Sequence, residues 1–363
     1  MSITQESLFD AVRNGDNQFV KEALKSNKLI DLNVKENIRG ETLLHVACDE
    51  MNLEIVQLLL QDPRVDVNQI SNIGITPFWS ACQFGATEIV SELLKDPRLN
   101  INASTHNQIT PLVLACYKGL TSIVQMILED PRCDSNFSLD DGTTLLSVAC
   151  HAGQPEVVKL LLAQEGTAPN IALHDSGMTP LFLACCEGNF EIVKLLLEDP
   201  RVDPNQEKVN GATPFYIACQ EGRLEIVKLL LNDERVDVNK RMVKGETPFF
   251  VSCQENRLEI VKWLLLSGRI DIDFGANRED GLNFAIQYHL TKDMELYQKA
   301  TTEIVTPIQV AEILGFKDIY NLLVLYKENI SAALTKIKYE LGLTGFFFFF
   351  FFLFFFFFFF FFF

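Results

Sequence analysis

The sequence predicts an all-α solenoid assembled from turn–helix–helix–loop units of about 34 residues. Three repeating features lead to this prediction. Seven of the nine cysteines recur at intervals of 34 or 35 residues, at positions 48, 82, 116, 150, 185, 219 and 253. A Gly-x-Thr-Pro tetrapeptide or a variant of it precedes each of these cysteines, and a Glu-Ile-Val stretch follows most of them. A fixed period of about 20 to 50 residues is typical of repeat proteins, whose units cannot bury their apolar faces singly.

Each unit is predicted to begin with a tight turn and a first helix of about two turns. Glycine can adopt the positive φ of a tight turn, and Thr is a good N-cap for the helix that follows. Proline suits the first helical position because its missing N–H would have no partner there. The tetrapeptide is complete in four copies, which begin at Gly74, Gly177, Gly211 and Gly245. The first helix then runs to the repeated cysteine.

The second helix of each unit is predicted from stretches such as the one that begins at Glu225. Its acidic residue lies near the N-terminus and Lys228 follows one turn later, as the helix dipole prefers. An Asp-Pro pair ends the helix in four copies, since Pro cannot continue it. These pairs are Asp62-Pro63, Asp96-Pro97, Asp130-Pro131 and Asp199-Pro200.

This pattern of turn, two helices and loop resembles the ankyrin repeat family. Seven clear copies occupy residues 37–275, and residues 4–36 resemble an N-terminal cap repeat. Residues 276–327 resemble two degenerate C-terminal repeats, the first of them around 281–299. The resemblance implies one continuous array in place of separate globular domains.

The family pattern places a Leu-His pair after Thr-Pro, and its imidazole usually ties the turn to the neighbouring repeat. Only His45 keeps this histidine here. We therefore expect packing to replace the hydrogen bonds in the other copies. The equivalent residues are Trp79, Val113, Ser147, Phe182, Tyr216 and Phe250.

The repeated cysteines are interpreted as small apolar side chains packed between helices. Neighbouring repeats stack about 8–10 Å apart, which is too far for a disulfide, and no His or second Cys recurs beside each cysteine as a zinc site needs. Cys133 and the vicinal Cys185 and Cys186 are the cysteines to test for reactivity. The repeated Asp-x-Asn lacks the central Gly and terminal Glu of a calcium loop, so we predict a turn there and no metal.

Composition and missing motifs exclude several classes of function. The net charge is −17, from 31 Lys and Arg against 48 Asp and Glu, which disfavours nucleic-acid binding. We find no phosphate-binding Gly loop, nucleophile elbow or zinc-binding His pair, and therefore predict no catalytic residues, no cofactor and no enzyme. The N-terminal residues lack the basic and apolar regions of a secretory signal, so we expect a cytoplasmic protein, with the nucleus as the alternative.

In the family, partners usually bind on the concave face, which the turn tips and the exposed side of the first helices form. At the matching positions the second to fourth copies carry apolar and aromatic residues, which suits a binding hot spot. The later copies carry acidic residues, which suits the steering of a basic segment. We call the first set the apolar patch and the glutamates the acidic shelf. The apolar patch comprises Ile73, Ile75, Phe84, Ile109, Tyr117 and His151, with Lys118 beside it, and the acidic shelf comprises Glu187, Glu221 and Glu255.

The sequence thus predicts a non-enzymatic scaffold that binds an unknown protein partner of basic or mixed charge. Residues 328–345 are predicted to form a terminal helix. Residues 346–363, which are Phe apart from Leu353, are interpreted as an artefact of a poly-T run read across a mis-set exon boundary. Two alternatives stay open. In the first, this tail tethers the same scaffold to a membrane, since 18 helical residues span about 27 Å. In the second, the chain is an adaptor fragment that lacks its effector domain.

Overall fold

The protein, described by a computed structural model, is all-α and is built of paired helices. The described residues are 3–26, 30–36, 38–277 and 304–343. They contain nineteen helices and two strands of two residues each. They form two compact units that divide between Asp175 and Ser176. The predicted all-α class and its repeating helix pairs are confirmed.

The first unit consists of five helix pairs. They are α1 (Gln5–Arg13) and α2 (Asn17–Ser26), α3 (Leu43–Asp49) and α4 (Leu53–Leu60), α5 (Pro77–Phe84) and α6 (Thr87–Leu94), α7 (Pro111–Lys118) and α8 (Thr121–Glu129), and α9 (Leu145–His151) and α10 (Pro155–Leu162). First helices pack on first helices, from α1 through α3, α5 and α7 to α9. The second helices pack on one another in the same order, from α2 to α10.

The second unit repeats this arrangement and ends differently. Its elements are α11 (Pro180–Glu187), α12 (Phe190–Glu198), α13 (Pro214–Gln220), α14 (Leu224–Leu231), α15 (Pro248–Gln254), α16 (Leu258–Ser267), β1 (Ala276–Asn277), β2 (Ile304–Val305), α17 (Pro307–Ile313), α18 (Lys317–Glu328) and α19 (Ile330–Glu340). Antiparallel pairing joins β1 to β2, and α17 packs directly on α15. The helix pair α17 and α18 therefore forms the layer next to the seventh repeat. The predicted repeat around 281–299 and the tail 346–363 lie outside the described residues.

The ends of the first helices follow the predicted chemistry. Thr76 is the N-cap of α5, and its Oγ1 accepts a hydrogen bond of 3.2 Å from the Trp79 N–H. Pro77 occupies the first helical position. Gly85 ends the helix in the left-handed conformation at φ +70°, as Gly119 does for α7 at +71°. These contacts confirm the predicted Thr-Pro start and glycine stop.

The core of each unit is a seam between consecutive helix pairs. None of the seven repeated cysteines forms a disulfide and all are fully buried, so the prediction of packed thiols is confirmed. The second helices contribute an Ile-Val pair and a Leu one turn later, as in Ile89, Val90 and Leu93, all of which are at most 2% exposed. Because each seam is completed by the neighbouring pair, the packing fixes the spacing of the repeats.

In four repeats an arginine in the loop after the second helix ties that repeat to the preceding one. Arg132 donates hydrogen bonds from Nε and Nη2 to the carboxylate of Asp130 at 2.9 and 2.6 Å. These hydrogen bonds lower the pKa of Asp130. The same guanidinium donates to the carbonyl of Leu94, at the end of α6, at 2.7 Å, and to that of Asp96 at 2.9 Å. It thereby satisfies carbonyls that the end of a helix leaves without a partner. Arg98, Arg235 and Arg269 make equivalent contacts with the carbonyls of Leu60, Leu197 and Leu231.

The asparagines of the Asp-x-Asn segments at 66–68, 203–205 and 237–239 form a second connection between repeats. Asn68 Nδ2 donates to the carbonyl of Arg98 at 2.8 Å, and its Oδ1 accepts from the N–H of Asn100 at 2.7 Å. Within the segment, the N–H of Asn68 donates to Asp66 Oδ1 at 3.0 Å. The predicted role in turn stabilisation is confirmed.

We predict that Arg132→Ala lowers the free energy of unfolding by about 1–3 kcal/mol, because it leaves carbonyls at the end of α6 without their donor. Arg132→Lys should restore only part of this loss, since an ammonium cannot reproduce the planar set of donors. Urea unfolding followed by circular dichroism measures both effects. The control is Lys95→Ala, which removes an exposed ion pair with Glu92 and should change stability by less than about 0.5 kcal/mol. Equal losses in Arg132→Ala and Lys95→Ala would contradict the role given to Arg132.

A second prediction concerns the cysteine seam. Cys82→Ser should be less stable than Cys82→Ala by about 1 kcal/mol or more. The site is fully buried, so the serine hydroxyl would lie in apolar surroundings. The same unfolding measurement compares the two variants. A serine variant as stable as the alanine variant would show that the site is polar or hydrated.

Candidate partner-binding surface

Two parts of each repeat build the candidate surface, namely the turn before the first helix and the C-terminal end of that helix. Hydrogen bonds join neighbouring turns. The N–H of Asn72 donates to the carbonyl of Arg39 at 2.7 Å, and its Nδ2 donates to that of Ile38 at 3.2 Å. The N–H of His174 donates likewise to the carbonyl of Asp141 at 2.7 Å. The turns are thus held in register by their backbones.

Four members of the apolar patch are exposed. The exposed fraction is 53% for Ile73, 48% for Phe84 and 56% for Tyr117, and His151 is also exposed. Phe84 is the last residue of α5 and Tyr117 lies in the last turn of α7, so the two rings occupy neighbouring helix ends. We call these four residues the exposed patch.

The expectation that Ile75 is exposed is wrong. Ile75 is only 8% exposed because the residue after the turn glycine points into the seam. Its N–H donates to the Ser71 hydroxyl at 3.3 Å, which holds the turn in this conformation. Ile109, at the equivalent place in the next repeat, is half-buried, and its N–H donates to Thr105 Oγ1 at 3.2 Å.

Lys118 is exposed, but it serves the connection between repeats. Its ammonium donates to the carbonyl of Gln83, near the end of α5, at 2.6 Å. A cation at a helix C-terminus is stabilised by the helix dipole. Lys118 therefore ties α7 to α5 at the edge of the exposed patch.

His45 ties its turn to the next repeat, as the family resemblance implies. The N–H of Thr42 donates to Nδ1 at 3.2 Å, which places the imidazole proton on Nε2, and Nε2 donates to the carbonyl of Ile75 at 3.0 Å. Burial lowers the pKa of His45, so the ring is neutral and suited to this bridge. Packing replaces this bridge as expected at the buried Val113, Phe182 and Phe250. The expectation is wrong for Tyr216, whose hydroxyl donates to Glu246 Oε2 in the next turn at 3.4 Å, and the buried Ser147 hydroxyl bonds to Thr144 Oγ1 within its own repeat at 3.0 Å. Trp79 is half-buried, and its buried Nε1 makes no hydrogen bond.

Asp49, the last residue of α3, is held in an unfavourable environment. It is half-buried, and its Oδ1 is shielded from solvent without a hydrogen-bond partner. Burial raises the pKa of Asp49 to about 6, against the opposing effect of the Ser80 hydroxyl. The neighbouring carboxylates of Glu41 and Glu50 raise this pKa further, and Arg39 lowers it. The carboxylate therefore lacks the stabilisation that an ionised side chain normally finds in a fold.

The acidic shelf lies in the second unit, at equivalent helix ends. Glu187 ends α11, Glu221 follows α13 and Glu255 follows α15. Glu187 and Glu221 are exposed, whereas Glu255 is half-buried. Burial raises the pKa of Glu255, Arg257 opposes this shift and Glu221 adds to it. The influence of Glu221 on Glu255 shows that neighbouring members of the shelf share one electrostatic environment.

Burial determines the protonation state of the cysteines. Burial raises the pKa of Cys116 to about 12 and that of Cys133 to about 11, and it also raises the pKa of Cys186. These thiols are therefore protonated near neutral pH and are poor nucleophiles. Within the described ranges, no group of three or more His, Cys, Asp or Glu residues is placed to hold a metal ion.

Comparison with protein families matches ankyrin repeats to residues 8–105, 63–136, 112–208 and 200–277. Together these matches cover most of the chain. The chain belongs to the ankyrin repeat family. The paired helices, the Thr-Pro starts and the bridge from His45 are therefore features of ankyrin repeats in this protein.

Among curated proteins, the chain is similar to SMC5-SMC6 complex localization factor protein 1 from three mammals. The identity is 45% for Homo sapiens, 43% for Bos taurus and 41% for Mus musculus, in each case over 51 residues. The match covers 14% of this chain and 5% of each relative. The similarity is thus confined to a short part of the relatives.

Some exposed apolar residues were not identified from the sequence. Val209 and Val243 are 72% and 77% exposed at the turn tips of the second unit. Met51 is 59% exposed just after α3. The two valines directly precede Asn210 and Lys244 before their turn glycines, so the same positional rule would have found them. Met51 stands where other copies have the glycine that follows the first helix. This departure from the repeat pattern could have identified Met51 from the sequence.

No helix among the residues that the structure describes combines the length and hydrophobicity needed to cross a membrane. The poly-Phe tail, residues 346–363, lies outside the described residues. The prediction about its origin stays a prediction.

We predict that Asp49→Asn stabilises the protein at neutral pH. The pKa of Asp49 rises from 3.8 to about 6 on folding, so the folded state binds the proton more tightly and stability falls as the pH rises through this window. One pKa unit corresponds to about 1.4 kcal/mol, and solvent screening of a half-buried carboxylate reduces the expected gain to about 1 kcal/mol at pH 7. The difference between variant and wild type should shrink as the pH falls and vanish near pH 3, below the unfolded-state pKa of 3.8. Urea unfolding at both pH values measures it, and a variant that is less stable at pH 7 would contradict the assigned environment.

Proposed function

We propose that this ankyrin repeat protein is a non-enzymatic scaffold that binds a protein partner through its turns and first-helix ends. The observation that carries the proposal is the pair of half-exposed rings of Phe84 and Tyr117 on neighbouring helix ends. Hot spots of protein interfaces are enriched in aromatic residues on ordered supports. Here Lys118 bonds the two helices to each other, so the rings are presented in a fixed arrangement.

The exposed patch is the anchoring site in this proposal, and Ile109 and Lys118 form its border. The acidic shelf serves a second purpose in the second unit. Its glutamates attract a basic segment of the partner, which raises the association rate more than it raises the affinity. The exposed Val209 and Val243 add apolar contacts near the turn tips of that unit.

The chemistry of the cysteines supports an intracellular location within the same proposal. None of the nine cysteines forms a disulfide, which suits the reducing cytoplasm or nucleus. The name of the mammalian relatives concerns the SMC5-SMC6 complex, but the match covers 5% of their length. We therefore define the partner by the chemistry of the surface.

We predict that Phe84→Ala and Tyr117→Ala each weaken the binding of a partner recovered by pull-down with the full chain. The expected loss is about tenfold or more in Kd, which is typical of a buried aromatic anchor. Isothermal titration calorimetry with the purified partner measures it, and circular dichroism verifies that the variants are folded.

The matched control is Tyr339→Ala. This tyrosine is 76% exposed on α19, away from the turns and first-helix ends. Its removal should leave the affinity unchanged. Unchanged affinity in Phe84→Ala and Tyr117→Ala would refute the exposed patch as the anchoring site.

A further inference from the structure

An acidic side chain lies directly beside the exposed patch. Asp49 is the last residue of α3, and Phe84 is the last residue of α5. These two first helices pack on each other, so their C-terminal ends lie side by side. Asp49 and Phe84 therefore belong to the same edge of the surface.

A second apolar side chain adjoins this acid, at a position where the neighbouring repeats have none. Met51 is 59% exposed and has a φ of +52°. The equivalent residues in the next two repeats are Gly85 and Gly119, at +70° and +71°. A side chain in the left-handed region is strained, and glycine avoids the strain. Met51 thus adds apolar surface next to Asp49 at a conformational cost.

Charge selects what this apolar surface can bind. Glu50 is exposed beside Asp49, and the nearby Glu41 is paired with Arg39 at 3.6 Å, so the carboxylates of Asp49 and Glu50 leave this end of the surface net negative. A carboxylate that has lost part of its hydration gains more from an incoming cation than one in water does. An acidic or phosphorylated segment would be repelled at the same place, in line with the net charge of −17.

We propose that this end of the surface docks a protein segment that carries a Lys or Arg next to a large apolar side chain. The cation binds the exposed carboxylate of Glu50 and is attracted by the half-buried carboxylate of Asp49 beside it, and the apolar side chain packs on Phe84 and Met51. This inference rests on the proposed function, because it names the partner chemistry for the same surface. It makes Asp49 the residue that determines specificity, while Phe84 supplies the apolar anchor.

Selection of a displayed library of random peptides on the full chain tests the inference without a known partner. Wild type should enrich peptides with Lys or Arg next to a large apolar residue. The affinity of these peptides should fall about tenfold or more in Asp49→Asn and in Phe84→Ala. The control Glu88→Gln removes the charge of an exposed side chain in the first turn of α6. Its affinity for the peptides should stay within about twofold of wild type. Because Asp49→Asn is expected to be the more stable protein, its loss of binding would not reflect unfolding.

The outcomes separate this inference from the proposed function. Enriched peptides without a Lys or Arg preference, or with equal affinity for Asp49→Asn, would overturn the inference. If those peptides still require Phe84, the exposed patch stands as a binding site. Peptides that bind Phe84→Ala and Tyr117→Ala as well as wild type would overturn the proposed function too. Failure to enrich any peptide would show that the surface does not dock a linear segment, which also overturns the inference.

Discussion

Every feature of this protein depends on the seam between consecutive helix pairs. A single pair is too small to bury its own apolar face, so each pair completes the core of its neighbour. The repeated cysteine suits this seam because a thiol is small, apolar and without a strong need for hydrogen bonds. Hydrogen bonds at the loops add to this packing. Arginines such as Arg132 donate to carbonyls at the end of the preceding second helix. Packing and hydrogen bonding therefore impose the same spacing.

The seam also determines which residues are available for binding. Side chains that face the next repeat must be small or apolar, as the buried Val90 and Cys82 are. Residues at the ends of the first helices are not subject to this constraint. In consecutive repeats of the first unit the residue after the cysteine is Asp49, Gln83 or Tyr117. This freedom explains how one fold presents different surfaces, and why the fold by itself does not identify the partner.

The seam could be predicted from the sequence because it repeats. The cysteine interval, the Thr-Pro starts and the Ile-Val pairs each recur at the same period, and together they define the helices and their order. The arginine contacts were missed although Arg64, Arg98 and Arg132 follow the same period. Periodicity shows that a residue has a repeated role, but whether a guanidinium reaches back to the preceding repeat depends on the path of the loop.

The surface could be predicted only in part, for a related reason. The exposure of Phe84 and Tyr117 follows from their place at the ends of helices. The burial of Ile75 depends instead on how its turn is closed by Ser71 and on the bridge from His45, which the period does not specify. The raised pKa of Asp49 depends on the burial of its carboxyl group in the folded protein, which the period does not specify either.

Two neighbouring departures from the repeat pattern bear on function. Asp49 places a partly buried carboxylate where the next repeats have neutral side chains, and Met51 places a side chain at positive φ where they have glycine. Neither choice stabilises the fold, since a glutamine and a glycine meet the same structural needs in the second repeat. Local rules that are broken without benefit to stability are expected at functional sites. Because both departures lie beside Phe84, they favour recognition of a partner as the reason for the chemistry at this end of the array.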